Sequence, residues 1–173
     1  MRHLIFVLSL TLITSCGWHL RGVMPLPDSY QVLNLQSQAG NSFNQQLTLQ
    51  LEFNGATLTS TTEDAQAILS IDPVDIEKRT LSVSSTGQIA EYELNARLNA
   101  RVISVADGNE TALEFKARRR LTNDVDNVVG TASAEREQRA DIEKELVRKL
   151  LRRLQALGNK PTSAASAQNG VAQ

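Results

Sequence analysis

The sequence predicts an α+β two-layer sandwich: two helices packed on one face of a four-stranded, mostly antiparallel sheet, in the order β-α-β-β-β-α. Three observations carry this. In residues 90–102, Ala90, Tyr92, Leu94, Ala96, Leu98, Ala100 and Val102 alternate without a break with Glu91, Glu93, Asn95, Arg97, Asn99 and Arg101. That is a strand with one dry face and one wet. Asp107-Gly108 is a hairpin dipeptide that tolerates positive φ and turns the chain back. Residues 131–157 switch to a helical period, with Ile142, Leu146, Leu150, Leu154 and Leu157 in a stripe flanked by Val147 and Leu151. Elements with one apolar face each must cover one another.

The remaining elements follow along the chain. Val32 and Leu33 mark a first strand at 30–35, approached through Pro25 and Pro27. Residues 41–53 fit two patterns: Phe43, Leu47 and Leu51 recur every four residues as in a helix, while Leu47, Leu49, Leu51 and Phe53 alternate as in a strand. Asn41 as a cap and Asn54-Gly55 as a stop favour the helix. Residues 68–83 read as a broken strand. Leu69 and Ile71 share one parity and Val74 and Ile76 the other, so the chain changes face near Pro73, at a bulge or an edge where proline's missing donor does no harm. After the turn Ser84-Ser85-Thr86-Gly87, the alternating strand 90–102 runs for roughly 43 Å at about 3.3 Å per residue. Beyond the hairpin, Leu113, Phe115 and Ala117 alternate with Glu114, Lys116 and Arg118. The last helix carries Glu135, Glu137, Asp141, Glu143 and Glu145 early and Arg148, Lys149, Arg152 and Arg153 late, the distribution its dipole favours, and Gly158 ends it. The segment 159–173, NKPTSAASAQNGVAQ, has no apolar face and is expected to be a disordered tail.

The start of the chain has a different character. Arg2 and His3 precede an apolar stretch, Leu4 to Ile13, which is far short of the roughly 20 residues a spanning helix needs. Residues 1–15 are therefore expected to be a cleaved leader. Ile13-Thr14-Ser15-Cys16 matches the bacterial lipoprotein signal, in which the cysteine receives an S-diacylglyceryl group, becomes the first residue and is N-acylated, as with palmitate. Cys16 is the single cysteine, so no disulfide can form within the chain. Several acyl chains hold where one binds only reversibly. Gly17, in place of aspartate, follows the pattern for delivery to the outer membrane. What remains is one domain, 16–158, followed by the tail.

Composition excludes several classes. Losing Arg2 from the 18 basic residues leaves 17 against 19 acidic, about −2, and aromatics are only 4%, so neither a positive field nor a stacking surface argues for nucleic acid. His19 is the one histidine after the leader, which denies the chain a zinc cluster or a Ser/His or Cys/His pair, and no phosphate-cradling glycine run exists. Asp124, Asp126 and Glu135 fall at calcium-loop positions, but Val128 replaces a ligand and Gly130 comes one residue late, so no metal site is expected. Glu91 and Glu93 share a face because any amphipathic strand gives that spacing. The one dense basic run is KARRRL, where Lys116, Arg118 and Arg120 share the polar face and Arg119 falls among core-facing positions. It reads as a solvated, aggregation-resistant strand surface or as a phosphate-recognising one.

CGWHLRG from Cys16 and GQIAEYEL from Gly87 resemble the lipopolysaccharide-assembly lipoprotein LptE family, also called rare lipoprotein B, and the element order agrees from Cys16 to about Leu157. The resemblance implies a non-enzymatic protein of the outer membrane. Such a protein associates with the β-barrel LptD, plugs its lumen, helps it assemble and binds lipopolysaccharide. The candidate phosphate contacts are Lys116, Arg118 and Arg120, then Lys78 and Arg79. Family members place basic residues at the ligand-contacting hairpin tip, whereas Ser84-Ser85-Thr86-Gly87 carries none. On the residues alone two other classes stay open. A lipid-anchored enzyme needs a catalytic constellation, and a lipid carrier or chaperone without a barrel partner needs an apolar cavity.

Overall fold

The computed structural model describes residues 25–158; the leader 1–15, Cys16, His19 and the tail 159–173 lie outside them. After a 3-10 turn at Asp28–Tyr30 come β1 (Val32–Ser37), α1 (Asn41–Phe53), β2 (Thr57–Thr59), β3 (Ala67–Ile71), β4 (Asp75–Val83), β5 (Ile89–Ser104), β6 (Glu110–Thr122) and α2 (Val128–Gly158). Both helices pack on one face of the sheet, as expected for the α+β class. The strand count is corrected from four to six. Three-residue β2 is too short to show a period, and the broken strand counts as two.

The sheet is more mixed than expected. β1 lies between β2 and β3 and runs parallel to both, while β3, β4 and β6 pair with β5 in antiparallel fashion. Helix α1 is the crossover that makes β1 and β2 parallel, because a chain that passes through a helix returns in the same direction. β3 and β4 share one edge of β5, β3 opposite Ala100 to Ser104 and β4 opposite Ile89 to Arg97, and β6 occupies the other edge. Between Ile71↔Ala100 and Asp75↔Arg97 the β3–β4 side advances four residues against three on β5. The extra residue is the bulge expected near Pro73. It reverses the faces, so that Ile71 before it and Ile76 after it both pack toward the core.

Residues 41–53 form the helix, within the expected bounds. Phe43, Leu47 and Leu51 are buried, and the strand alternative's Leu49 and Phe53 are exposed. Its start differs from the expectation: Gly40 occupies the cap position and Asn41 is already helical. The Asn44 side chain takes over instead, donating to the Ala39 carbonyl at 3.0 Å and accepting from the Ser37 hydroxyl at 2.6 Å. The stop is built as expected. Gly55, at φ +88°, donates to the Glu52 carbonyl, and Ala56 donates to that of Leu51.

Helix α2 starts three residues earlier than predicted, at Val128, because Asn127 caps it: its Oδ1 accepts from the Gly130 N–H at 2.9 Å. Asp124 accepts from the Asp126 N–H in a local turn, and its own N–H donates to Thr131 Oγ1. Ile142, Leu146, Leu150 and Leu154 then meet Leu94, Leu98, Leu47 and Leu51 with no exposed surface. Each such side chain contributes roughly 1.5–3 kcal/mol by leaving water. The chain enters at the end of the molecule that holds the β5–β6 turn, the C-terminus of α1 and the C-terminus of α2, where Gln155 Nε2 donates to Asn54 Oδ1. The β4–β5 turn and the N-terminus of α2 lie at the opposite end.

Candidate functional site

The sheet face away from the helices presents the basic residues, and strand register decides which ones. Residues opposite one another on β4, β5 and β6 form three rows: Asp75, Arg97, Lys116; Glu77, Asn95, Arg118; and Arg79, Glu93, Arg120. Arg79, Lys116, Arg118 and Arg120 therefore share the open face. A groove of about 290 Å³ runs between them, lined by Asp75, Glu77, Arg79, Arg97, Lys116 and Arg118.

The charges on this face are not equivalent. Glu114 ties up Lys116 at 3.0 Å and Arg97 at 3.4 Å, and the hydrogen bond from Lys116 holds its carboxyl below the usual range. Arg79, Arg118 and Arg120 make no ion pair within 4.0 Å among the described residues. Glu93, between Arg79 and Arg120 in their row, accepts instead from the Asn95 amide at 2.9 Å. Arg118 and Arg120 stand two residues apart on one strand, about 7 Å, and Arg79 lies two strands away, about 10 Å. Three forked donors on rigid strands suit a ligand with several separated anionic groups.

Two basic residues go to the helix side. Lys78 sits opposite Leu94, so it is not part of the arginine platform. Its Nζ pairs with Glu135 of α2 at 2.6 Å and lies 3.9 Å above the Tyr92 ring. Arg119 takes the core-facing position its parity requires and pairs with Glu145 at 2.7 Å. Arg97, like Arg101, is an open-face cation that the candidate set lacks. Its even spacing with Asn95 and Asn99 marks the wet face, but its place beside Lys116 depends on the register of β5 and β6.

The described residues contain no histidine or cysteine, and no group of three acidic side chains among them converges as a metal site would require. No helix among them is long and apolar enough to cross a membrane. The fold is that of a small α+β domain with a packed helical layer and an arginine-bearing open sheet face. Similar folds are found in solved lipoproteins. A lipoprotein B from Nitrosomonas europaea is 29% identical with a TM-score of 0.68, over 82% of this chain and 92% of that one. The rare lipoprotein B of Shewanella oneidensis, at 18% identity, shares the fold with a TM-score of 0.66, over 73% of this chain and 95% of that one. The LPS-assembly lipoprotein LptE of Photorhabdus laumondii is 32% identical over 164 residues, 87% of each chain. The model of the LptE family, described as lipopolysaccharide-assembly, matches residues 26–154, and the chain belongs to that family.

Proposed function

We propose that this chain is an outer-membrane lipoprotein of lipopolysaccharide assembly, acylated at Cys16, that joins the LptD β-barrel as a plug in its lumen and assists its assembly. It acts without catalysis. The observation that carries the reading is the open sheet face. It is polar and charged along β4, β5 and β6, as the inside of a barrel is, and it carries three guanidinium groups with no ion pair within 4.0 Å among the described residues. A lipid at the first residue keeps such a body at the membrane while its polar skin stays out of the hydrocarbon.

The arginine platform is the proposed contact for the phosphates of lipid A. Arg118 and Arg120 take one phosphate in a forked grip and Arg79 a second, with Lys116 at the border, already engaged by Glu114. Lys78 is left out of this set because its charge is committed to Glu135 on the other side of the sheet.

The test is lipopolysaccharide binding by the purified protein in which Arg79, Arg118 and Arg120 are each replaced by glutamate. Affinity falls on the order of tenfold per lost contact at low salt, and the difference shrinks as salt rises. Lys78→Ala is the internal contrast and leaves affinity unchanged. Equal binding by the triple variant and the parent at low ionic strength would remove the platform from the reading. Separately, the intact lipoprotein drawn from native membranes in detergent brings one large barrel protein with it in equal amount; its absence removes the partnership.

A further inference from the structure

On the outer side of the helical layer, Leu49 and Phe53 stand one turn apart on one face of α1, 64% and 68% exposed. A groove of about 270 Å³ beside them is lined by Gln46, Leu49, Gln50, Lys144, Val147 and Arg148, so these turns of α1 and α2 lie against each other. Further along both helices, Gln155 Nε2 donates to Asn54 Oδ1. The helices therefore advance in the same direction, and the row Leu49, Phe53 runs beside the row Arg148, Arg152. Arg148 and Arg152 are exposed and make no ion pair within 4.0 Å among the described residues. Lys144 is paired with Asp141 at 3.2 Å, and beyond Glu145 no acidic residue occurs in α2. One face thus joins two large exposed apolar side chains to two guanidinium groups without a carboxylate.

We propose that this face docks on the surface of an anionic phospholipid bilayer. Its charge and its apolar row both point to that occupant. Leu49 and Phe53 enter the boundary between headgroups and acyl chains, as the apolar side of an interfacial helix does. Arg148 and Arg152 then lie at the depth of the phosphates, with their stems along apolar surface and their forked donors on phosphate oxygens. A bilayer presents phosphates at every spacing, so two arginines one turn apart find partners there without a preformed match. The place of the face within the molecule agrees. Leu26 N–H donates to the Asn54 carbonyl at 3.0 Å, so the described chain begins beside Phe53, at the end nearest in sequence to the expected acyl group. Docking by the helices also sets an orientation. The open sheet face lies on the opposite side of the body, so the arginines proposed above to hold lipid A point away from the phospholipid phosphates that would otherwise compete for them. The docking itself depends on neither the acyl group nor a barrel partner.

The chain from residue 16 carrying Cys16→Ala has neither thiol nor acyl group, so its binding to vesicles reads the folded body alone. At low salt it co-sediments with vesicles of phosphatidylcholine and phosphatidylglycerol, and it stays in solution with phosphatidylcholine alone. Arg148→Ala with Arg152→Ala weakens binding on the order of thirtyfold. Leu49→Gln with Phe53→Gln, at exposed positions, weakens it on the order of tenfold. Far-ultraviolet dichroism is unchanged in both. A thiol-linked, polarity-sensitive fluorophore then reports which side touches the bilayer. At Gln50→Cys it brightens when the anionic vesicles are added, and at Asn99→Cys, on the open sheet face, it does not. A parent chain that ignores anionic vesicles at low salt overturns the proposal, as does binding that either double substitution leaves intact. A fluorophore that brightens at Asn99 and not at Gln50 assigns the contact to the wrong face and overturns it too. So does one at Gln50 that brightens with protein concentration alone, which would mark a second copy as the occupant.

Discussion

Glu145 accepts from two cations at once, Lys149 one turn further along α2 and Arg119 on β6, each at 2.7 Å. Glu135 repeats the arrangement with Lys78 on β4 at 2.6 Å and Arg139 at 2.9 Å. Each carboxyl is held below the usual glutamate range, Glu145 first by the hydrogen bond from Lys149 and Glu135 first by that from Lys78, with partial burial opposing. A depressed folded value means that the unfolded chain binds more protons in acid. The stabilisation is thus complete above the ordinary value of about 4.3 and is lost as pH falls through the folded one. Glu145→Gln lowers the unfolding free energy at pH 7 by on the order of 1 kcal/mol, and the gap to the parent closes in acid. A gap that stays constant from pH 7 to pH 3 would show that these charges do not hold the helix to the sheet. Arg119's side of the strand was legible from alternation, but its partner was not, because Glu145 lies on an element whose position no local pattern specifies. Lys78 and Arg79 were grouped as neighbours, yet alternation sends neighbours to opposite faces.

At the level of elements, the start of α2 depends on one amide and one missing side chain. A Cβ on residue 130 would lie 2.5–2.9 Å from the Asn127 amide group, so the cap holds only while Gly130 stays bare. Asn127→Ala costs about 1 kcal/mol. Gly130→Ala is close to neutral in the parent, where the lost cap offsets alanine's better fit to a helix, but it stabilises the Asn127→Ala background by about 1 kcal/mol, where no cap remains to lose. Denaturant midpoints of the four proteins test this, and additive effects would rule out the clash. The cap could have been read from Asn127 itself, but the apolar stripe alone marks the helix, and it begins well past residue 128. For α1 both periods were present in the letters. Leu49 and Phe53 decide between them, because a strand would bury them with Leu47 and Leu51 whereas the helix leaves both exposed. The buried amide of Asn34, whose Nδ2 donates to the Thr59 carbonyl at 3.0 Å, fastens the short β2 that no periodicity revealed.

For the molecule as a whole, the class of fold was readable because the longest strand and the longest helix each display a complete apolar face. The parallel half was not, since β1, β2 and β3 are short and their direction is set by a crossover rather than by a turn dipeptide. The open face was readable as polar, and its grouping of arginines awaited register. At this scale the expected acyl anchor makes its own prediction. Cys16→Ala leaves the folded domain intact by circular dichroism and moves it from membrane to soluble fractions in cells that lack the barrel; membrane retention there would contradict lipid attachment. The bulge at Pro73 has one more effect. On the side where the chain enters, β2, β1, β3, β5 and β6 stand abreast, roughly 19 Å from first to last axis, whereas beyond the bulge only β4, β5 and β6 continue, roughly 10 Å. The body is a wedge with its broad end nearest the first described residue. In the proposed barrel seat, entry by the slim end would bring the shoulder to the rim, so the depth of seating would follow from where the extra residue sits. Moving that residue two places along the chain would reset the stop by about 7 Å.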